Sequence, residues 1–212
     1  MKKKAISIIF LVILVLNTSI PVAAEEIHSL DRNSIVGNGY LVISDPSTGE
    51  HWNWELSSSD VLVNQVNRST NATNEIKDAF VSVDVGEYIL HTMTTPIDAD
   101  TTLYDDVTLT AGLRYAVDDN ANAVSIYRAY GSAPDSGMFY ATNKAFHYSN
   151  AYVFGTITKY PTGESWSYST DSRPGSYNKI FCPSACLECR ITVRGMESSY
   201  RDVAVTFTLD YV

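Results

Sequence analysis

The chain holds three cysteines, and all of them fall in one eight-residue stretch, Cys182-Pro-Ser-Ala-Cys186-Leu-Glu-Cys189. Thiolates so close together can bind a metal or a cluster, or oxidise to one another. Zinc needs a fourth ligand, and His28, His51, His91 or His147 would have to supply it. None of these lies within about 30 residues of the trio, so proximity gives zinc no support. A local disulfide is the favoured chemistry, with three pairings open and one thiol left over. Cys189 falls on the apolar side of an alternating run, which marks it as the buried odd thiol while Cys182 and Cys186 close a small loop. The reverse pairing stays open, and an exposed odd cysteine would link two chains into a disulfide-bonded dimer.

The C-x3-C-x2-C spacing resembles the cluster-binding motif of radical S-adenosylmethionine enzymes. That likeness implies three thiolates on an iron–sulfur cluster whose open iron takes the cofactor. Those enzymes are cytosolic α/β barrels with the motif near the front of the chain, whereas here only 23 residues follow it. An exported chain also meets oxidising conditions, which favour the disulfide. No metal and no cofactor is assigned.

Other polar constellations are weaker. Asp118-Asp-Asn-Ala-Asn122 starts like a calcium loop, but Ala123 stands where the sixth-position Gly belongs and Ala129 where the Glu belongs. It reads as a hairpin turn, and Asp98, Asp100, Asp105 and Asp106 read as a solvated acidic loop. The chain has no nucleophile elbow, no His-Glu-x-x-His and no glycine-rich phosphate loop. No catalytic residue is assigned, and an extracellular hydrolase ranks third among the functions.

The aromatic residues offer recognition rather than reaction. Trp52, Trp54, Trp166 and Tyr168 are the candidate binding residues, with Tyr140, Tyr148 and Tyr152 beside them. Flat rings stack on the C–H faces of sugars, and they also suit a lipid interface. Core packing and cross-strand pairing compete for the same side chains.

These residues must be carried by strands. Val107, Leu109, Ala111, Leu113, Tyr115 and Val117 alternate with small or polar neighbours, a period of two that gives one oily face and one wet face. The Asp/Asn turn at 118–122 then leads into Ala123–Tyr130 as a hairpin. Gly39–Ile43 and His51–Leu56 flank the turn Asp45–Gly49 and form a first hairpin. Leu187–Val193 and Val203–Tyr211 form another around a connection at 195–201. Ser165–Thr170 is expected to pair back on Ala151–Thr158 through the turn Tyr160–Gly163, and Tyr88–Met93 to be a strand. In 57–80 a helix at 61–66 and a strand compete, and 74–79 suits one helical turn. The fold class is all-β: a single antiparallel β-sandwich, Ig-like or jelly-roll-like, with little helix.

Met1-Lys-Lys-Lys4, the apolar run Ala5–Leu16 and the small residues Val22-Ala-Ala24 form a signal peptide, 1–24, cleaved after Ala24. Residues 25–212 are the secreted domain, with 25–38 a loose lead-in. Removing three signal lysines leaves 12 basic against 24 acidic residues, a net charge of about −12. Such a surface repels phosphate backbones, so nucleic acid is not a partner. It also disfavours anionic lipid, although membrane contact stays open. The tri-lysine signal, the Thr- and Tyr-rich strands and turns such as Tyr160-Pro-Thr-Gly163 resemble those of small secreted β-rich proteins of Gram-positive bacteria. The likeness brings no activity or site with it. The expected function is a secreted binding protein for an extracellular glycan, envelope component or protein. A membrane-active toxin or bacteriocin-like effector is the alternative.

Overall fold

The computed structural model describes residues 35–57, 61–65, 76–93, 106–118, 123–150, 155–170, 175–176 and 183–211. All belong to the unit Arg32–Val212. The expected signal peptide, the expected acidic loop at 98–105, the expected turn at 119–122 and Cys182 lie outside the described residues.

Among the described residues twelve strands and one short helix follow in order: β1 Ile35–Ser44, β2 His51–Leu56, β3 Val61–Gln65, β4 Ile76–Asp84, α1 Gly86–His91, β5 Thr108–Asp118, β6 Ala123–Ser132, β7 Phe139–Asn150, β8 Gly155–Lys159, β9 Ser165–Ser169, β10 Gly175–Ser176, β11 Ser184–Val193 and β12 Met196–Tyr211. They make two antiparallel sheets. The first runs β2-β1-β12-β11-β7-β8, and the second β10-β6-β5-β4-β3, with β9 also paired to β6. In each sheet the long strands are central and the edges are strands of two to six residues.

The alternating patterns fix which side chains turn inward. Leu109, Ala111, Leu113 and Tyr115 of β5 are fully buried, as are Leu41 and Ile43 of β1 and Val205, Phe207 and Leu209 of β12. The inward residues of both sheets belong to one hydrophobic cluster. Taking about 25 cal/mol per Å² of apolar surface removed from water, each large side chain contributes about 2 kcal/mol to holding the sheets.

Several elements differ from expectation. β3 and β4 are both strands, so neither helix expected in 57–80 forms among the described residues. Ile76 to Asp84 pairs residue by residue with Ala116 to Thr108, and this ladder overrides the weak local helix signal. Conversely, α1 replaces the expected strand over 88–93. Val85, Ile89 and Thr92 are buried at helical spacing, and Asp84 Oδ1 accepts bonds from the Gly86 and Val107 amides at 3.0 and 3.1 Å. A short apolar run cannot be assigned to helix or strand by periodicity alone. The connection at 195–201 shrinks to Arg194-Gly195: Gly195 takes φ +78°, and β12 starts at Met196. β1 starts at Ile35, four residues before the expected strand, and pairs with the end of β12.

The largest correction concerns β9. It pairs with β6, Trp166 opposite Gly131 and Tyr168 opposite Ala129, and not with β8. Residues 160–164 therefore carry the chain from the first sheet to the second. Lys144 Nζ reinforces this crossing by donating to the carbonyls of Ala133 and Gly163, both at 3.1 Å.

Candidate functional site

The outward face of the second sheet carries three parallel rows of side chains, set by register. One row is Ser82, Thr110, Ser132 and Ser165; the next is Phe80, Gly112, Tyr130 and Ser167; the third is Asp78, Arg114, Arg128 and Ser169. Neighbouring strands stand about 4.8 Å apart and alternate residues on one strand about 6.8 Å apart. The hydroxyl, ring and charged rows thus cover a patch about 14 Å on a side. A groove of about 560 Å³ lies over it.

The ring row is built on the missing side chain of Gly112. A Cβ there would stand 2.6 Å from Phe80 Cβ and 2.8 Å from Tyr130 Cζ. Only with that space open can the Tyr130 ring lie across the sheet. Phe80 flanks it, with ring centroids 6.4 Å apart and a tilt of 56°. The result is an aromatic floor beneath the groove. Burial, followed by the nearby Asp78 charge, raises the Tyr130 phenol well above its ordinary value, so it stays neutral and can donate or accept.

The charged row is asymmetric. Arg114 grips Asp78 with both prongs, Nε to Oδ1 at 2.9 Å and Nη2 to Oδ2 at 2.7 Å. That bidentate fork raises the already high Arg114 value further. Arg128 is the direct cross-strand neighbour of Arg114 and is exposed. Among the described residues no carboxylate pairs with it. Flanking hydroxyls complete the rim, and Ser82 and Thr110 already share a bond of 3.1 Å. Such a surface can stack a flat apolar face, exchange hydrogen bonds with hydroxyls and hold a negative charge.

Of the aromatic residues singled out in the sequence, Trp166 also lines this groove, while Trp52, Trp54 and Tyr168 pack at two edges of the core. Trp52 and Trp54 pair with the buried Ile43 and Leu41 and share their inward face. The Trp54 ring meets Tyr88 of α1 edge-on at 5.0 Å, and Trp52 lies 6.0 Å from the Arg201 guanidinium. Trp166 and Tyr168 turn inward from β9. Trp166 fills the space over Gly131 and meets Phe146 at 5.7 Å, while Tyr168 stacks on Tyr148 at 6.4 Å and 13°. All four are half-buried and pack against the core, and they do not converge on one surface. Phe80 and Tyr130 were not flagged by sequence. The available signal was Gly112, because a glycine inside a strand marks a close approach.

Cys186 and Cys189 are both free, which removes the expected disulfides that involve them. They sit three residues apart on β11, so alternation sends their side chains to opposite faces. Cys189 is buried on the core face as expected. Cys186 faces outward, and its Sγ accepts a bond from Thr206 Oγ1 at 3.2 Å. Its cross-strand neighbour is His147, whose Nδ1 contacts Thr158 Oγ1 at 2.9 Å and whose Nε2 stands 3.5 Å from Glu188. That last distance is an ion-pair approach without hydrogen-bond geometry, since Nε2 makes no hydrogen bond among the described residues. A thiol, an imidazole and a carboxylate in one patch suggest a nucleophile. Burial pushes the Cys186 thiol up to about 12, however, so almost no thiolate exists near neutral pH. Among the described residues no three His, Cys, Asp or Glu side chains are placed to hold a metal ion.

No family model, no curated protein and no solved structure matches this chain.

Proposed function

We propose that this is a secreted, non-catalytic binding protein that holds an extracellular glycan against the outward face of its second sheet. The reading takes the two sheets as the layers of a β-sandwich, Ig-like or jelly-roll-like, released after removal of residues 1–24. The observation that carries it is Tyr130 laid across Gly112, with Phe80 beside it and a rim of hydroxyls. A sugar ring has an apolar face that stacks on such a floor and equatorial hydroxyls that meet Ser132, Ser165 and Ser167. The raised thiol of Cys186 favours binding over chemistry at the other outward face. The reading puts recognition on Phe80 and Tyr130, with Trp166 at the edge of the groove and Trp52, Trp54 and Tyr168 packed against the core.

Retention of the secreted protein on immobilised oligosaccharides tests this directly. Tyr130→Ala should abolish retention while leaving the near-ultraviolet signal of the core intact. A protein that passes every glycan column, or a Tyr130→Ala variant retained like the parent, would overturn it.

A further inference from the structure

We infer that the glycan held on this face is acidic, and that its carboxylate or phosphate seats on Arg128 beside Arg114. The inference rests on the proposed glycan reading and adds the charge of the ligand.

Arg114 and Arg128 are direct cross-strand partners on β5 and β6. Like charges so placed oppose sheet formation. The one carboxylate in the row, Asp78, has both oxygens committed to Arg114. Arg128 is left with its planar donor fork over the groove and no counter-charge among the described residues. The chain as a whole carries an excess of acids, with a formal net charge of −9, yet among the described residues Asp78 is the one carboxylate that lines this groove. The groove behind the fork is floored by Phe80 and Tyr130, not by further cations, so a bare ion would leave most of it unfilled. A sugar ring bearing an anion fits both halves: the ring lies on the floor, and the anion takes the fork in the bidentate geometry that arginine favours. It would also relieve the repulsion between the two arginines.

Titration calorimetry of the full secreted chain with three oligosaccharides tests this: an oligogalacturonate, its methyl ester, and a phosphorylated oligomannose. The ester keeps the rings and removes the charge. The acidic ligands should bind, the ester should bind about tenfold more weakly or worse, and Arg128→Gln should erase that preference, as expected for losing a charge-assisted hydrogen bond. Arg128→Lys should recover part of it. Arg128 is exposed, so the variant should melt with the parent. Binding of the phosphorylated ligand alone would identify the anion as phosphate and uphold the inference. Equal binding of acid and ester, still lost in Tyr130→Ala, would overturn the charge assignment and leave the glycan reading standing. Binding of no oligosaccharide, neutral or acidic, would sink both.

Discussion

At the scale of single residues, Gly112 decides the shape of the candidate site. A methyl group there meets the Cβ of Phe80, which is fixed to the backbone and cannot swing away, as well as the ring of Tyr130. Gly112→Ala should destabilise the fold by about 1–3 kcal/mol, the order for forcing an extra carbon into packed surroundings. It should also lift the Tyr130 ring and weaken glycan retention. The urea midpoint and the retention volume read the two effects separately; an unchanged midpoint would mean that the ring never lay over Gly112. The sequence hinted at this residue only as one of the small positions on the wet side of Val107–Val117. What periodicity cannot say is which rings from other strands bend over the gap, because that depends on strand neighbours as well as on face.

At the scale of elements, α1 depends on an arginine far from it in sequence. Six residues are too few for a helix to persist alone in water. Arg201 of β12 holds this one in place, donating to Thr92 Oγ1 at 3.1 Å and to the Thr92 carbonyl at 2.6 Å. Its remaining donors reach the Tyr200 carbonyl and the Asp45 carboxylate at 2.9 and 3.3 Å. Arg201→Met should therefore cost about 2–3 kcal/mol, the order for stripping hydrogen bonds from buried acceptors. Amide exchange at Ile89, Thr92 and Met93 should accelerate more than in the central strands. Uniform acceleration across both sheets would refute a local clamp. Alternation located the inward residues of β5, β11 and β12 correctly, from Leu109 to Leu209, because burial on one face leaves an unambiguous mark. It failed where partners had to be chosen. Ser165–Ser169 had a plausible mate in the preceding strand, yet Trp166 fits against Gly131, and that lock-and-key pairing leaves no trace in either segment read alone.

At the scale of the whole molecule, the titrating groups set the pH range over which the fold survives. Burial raises Cys186 and Cys189 from about 9 to about 12, and Tyr115 from about 10 to about 12. A raised folded value means that the unfolded chain releases its proton first. The stability these groups contribute is complete below about pH 9 and is lost as pH climbs from there towards 12. Asp45 works at the other end. Ser47 bonds to its carboxyl through side chain and amide, and with Arg201 nearby these hold it below its ordinary value. Its contribution is present above about pH 4 and fades as pH falls further. Thermal melts should hold steady from about pH 5 to 8 and decline on both sides. Tyr115→Phe should soften the alkaline decline, and since the Tyr115 hydroxyl finds no hydrogen-bond partner among the described residues, it should not lower the melting temperature at pH 7. A steeper alkaline loss in that variant would contradict the assignment.

The short outer strands have a bearing on how copies of the protein meet one another. A sheet border is an open row of amide and carbonyl groups that can recruit another polypeptide and start a fibril. Here β2, β3, β8 and β9 offer five or six residues each, and β10 only two, while strands of nine to sixteen residues are flanked on both sides. A stranger would find too few contacts in register to remain attached. The way its strand lengths are distributed thereby guards the protein against clumping.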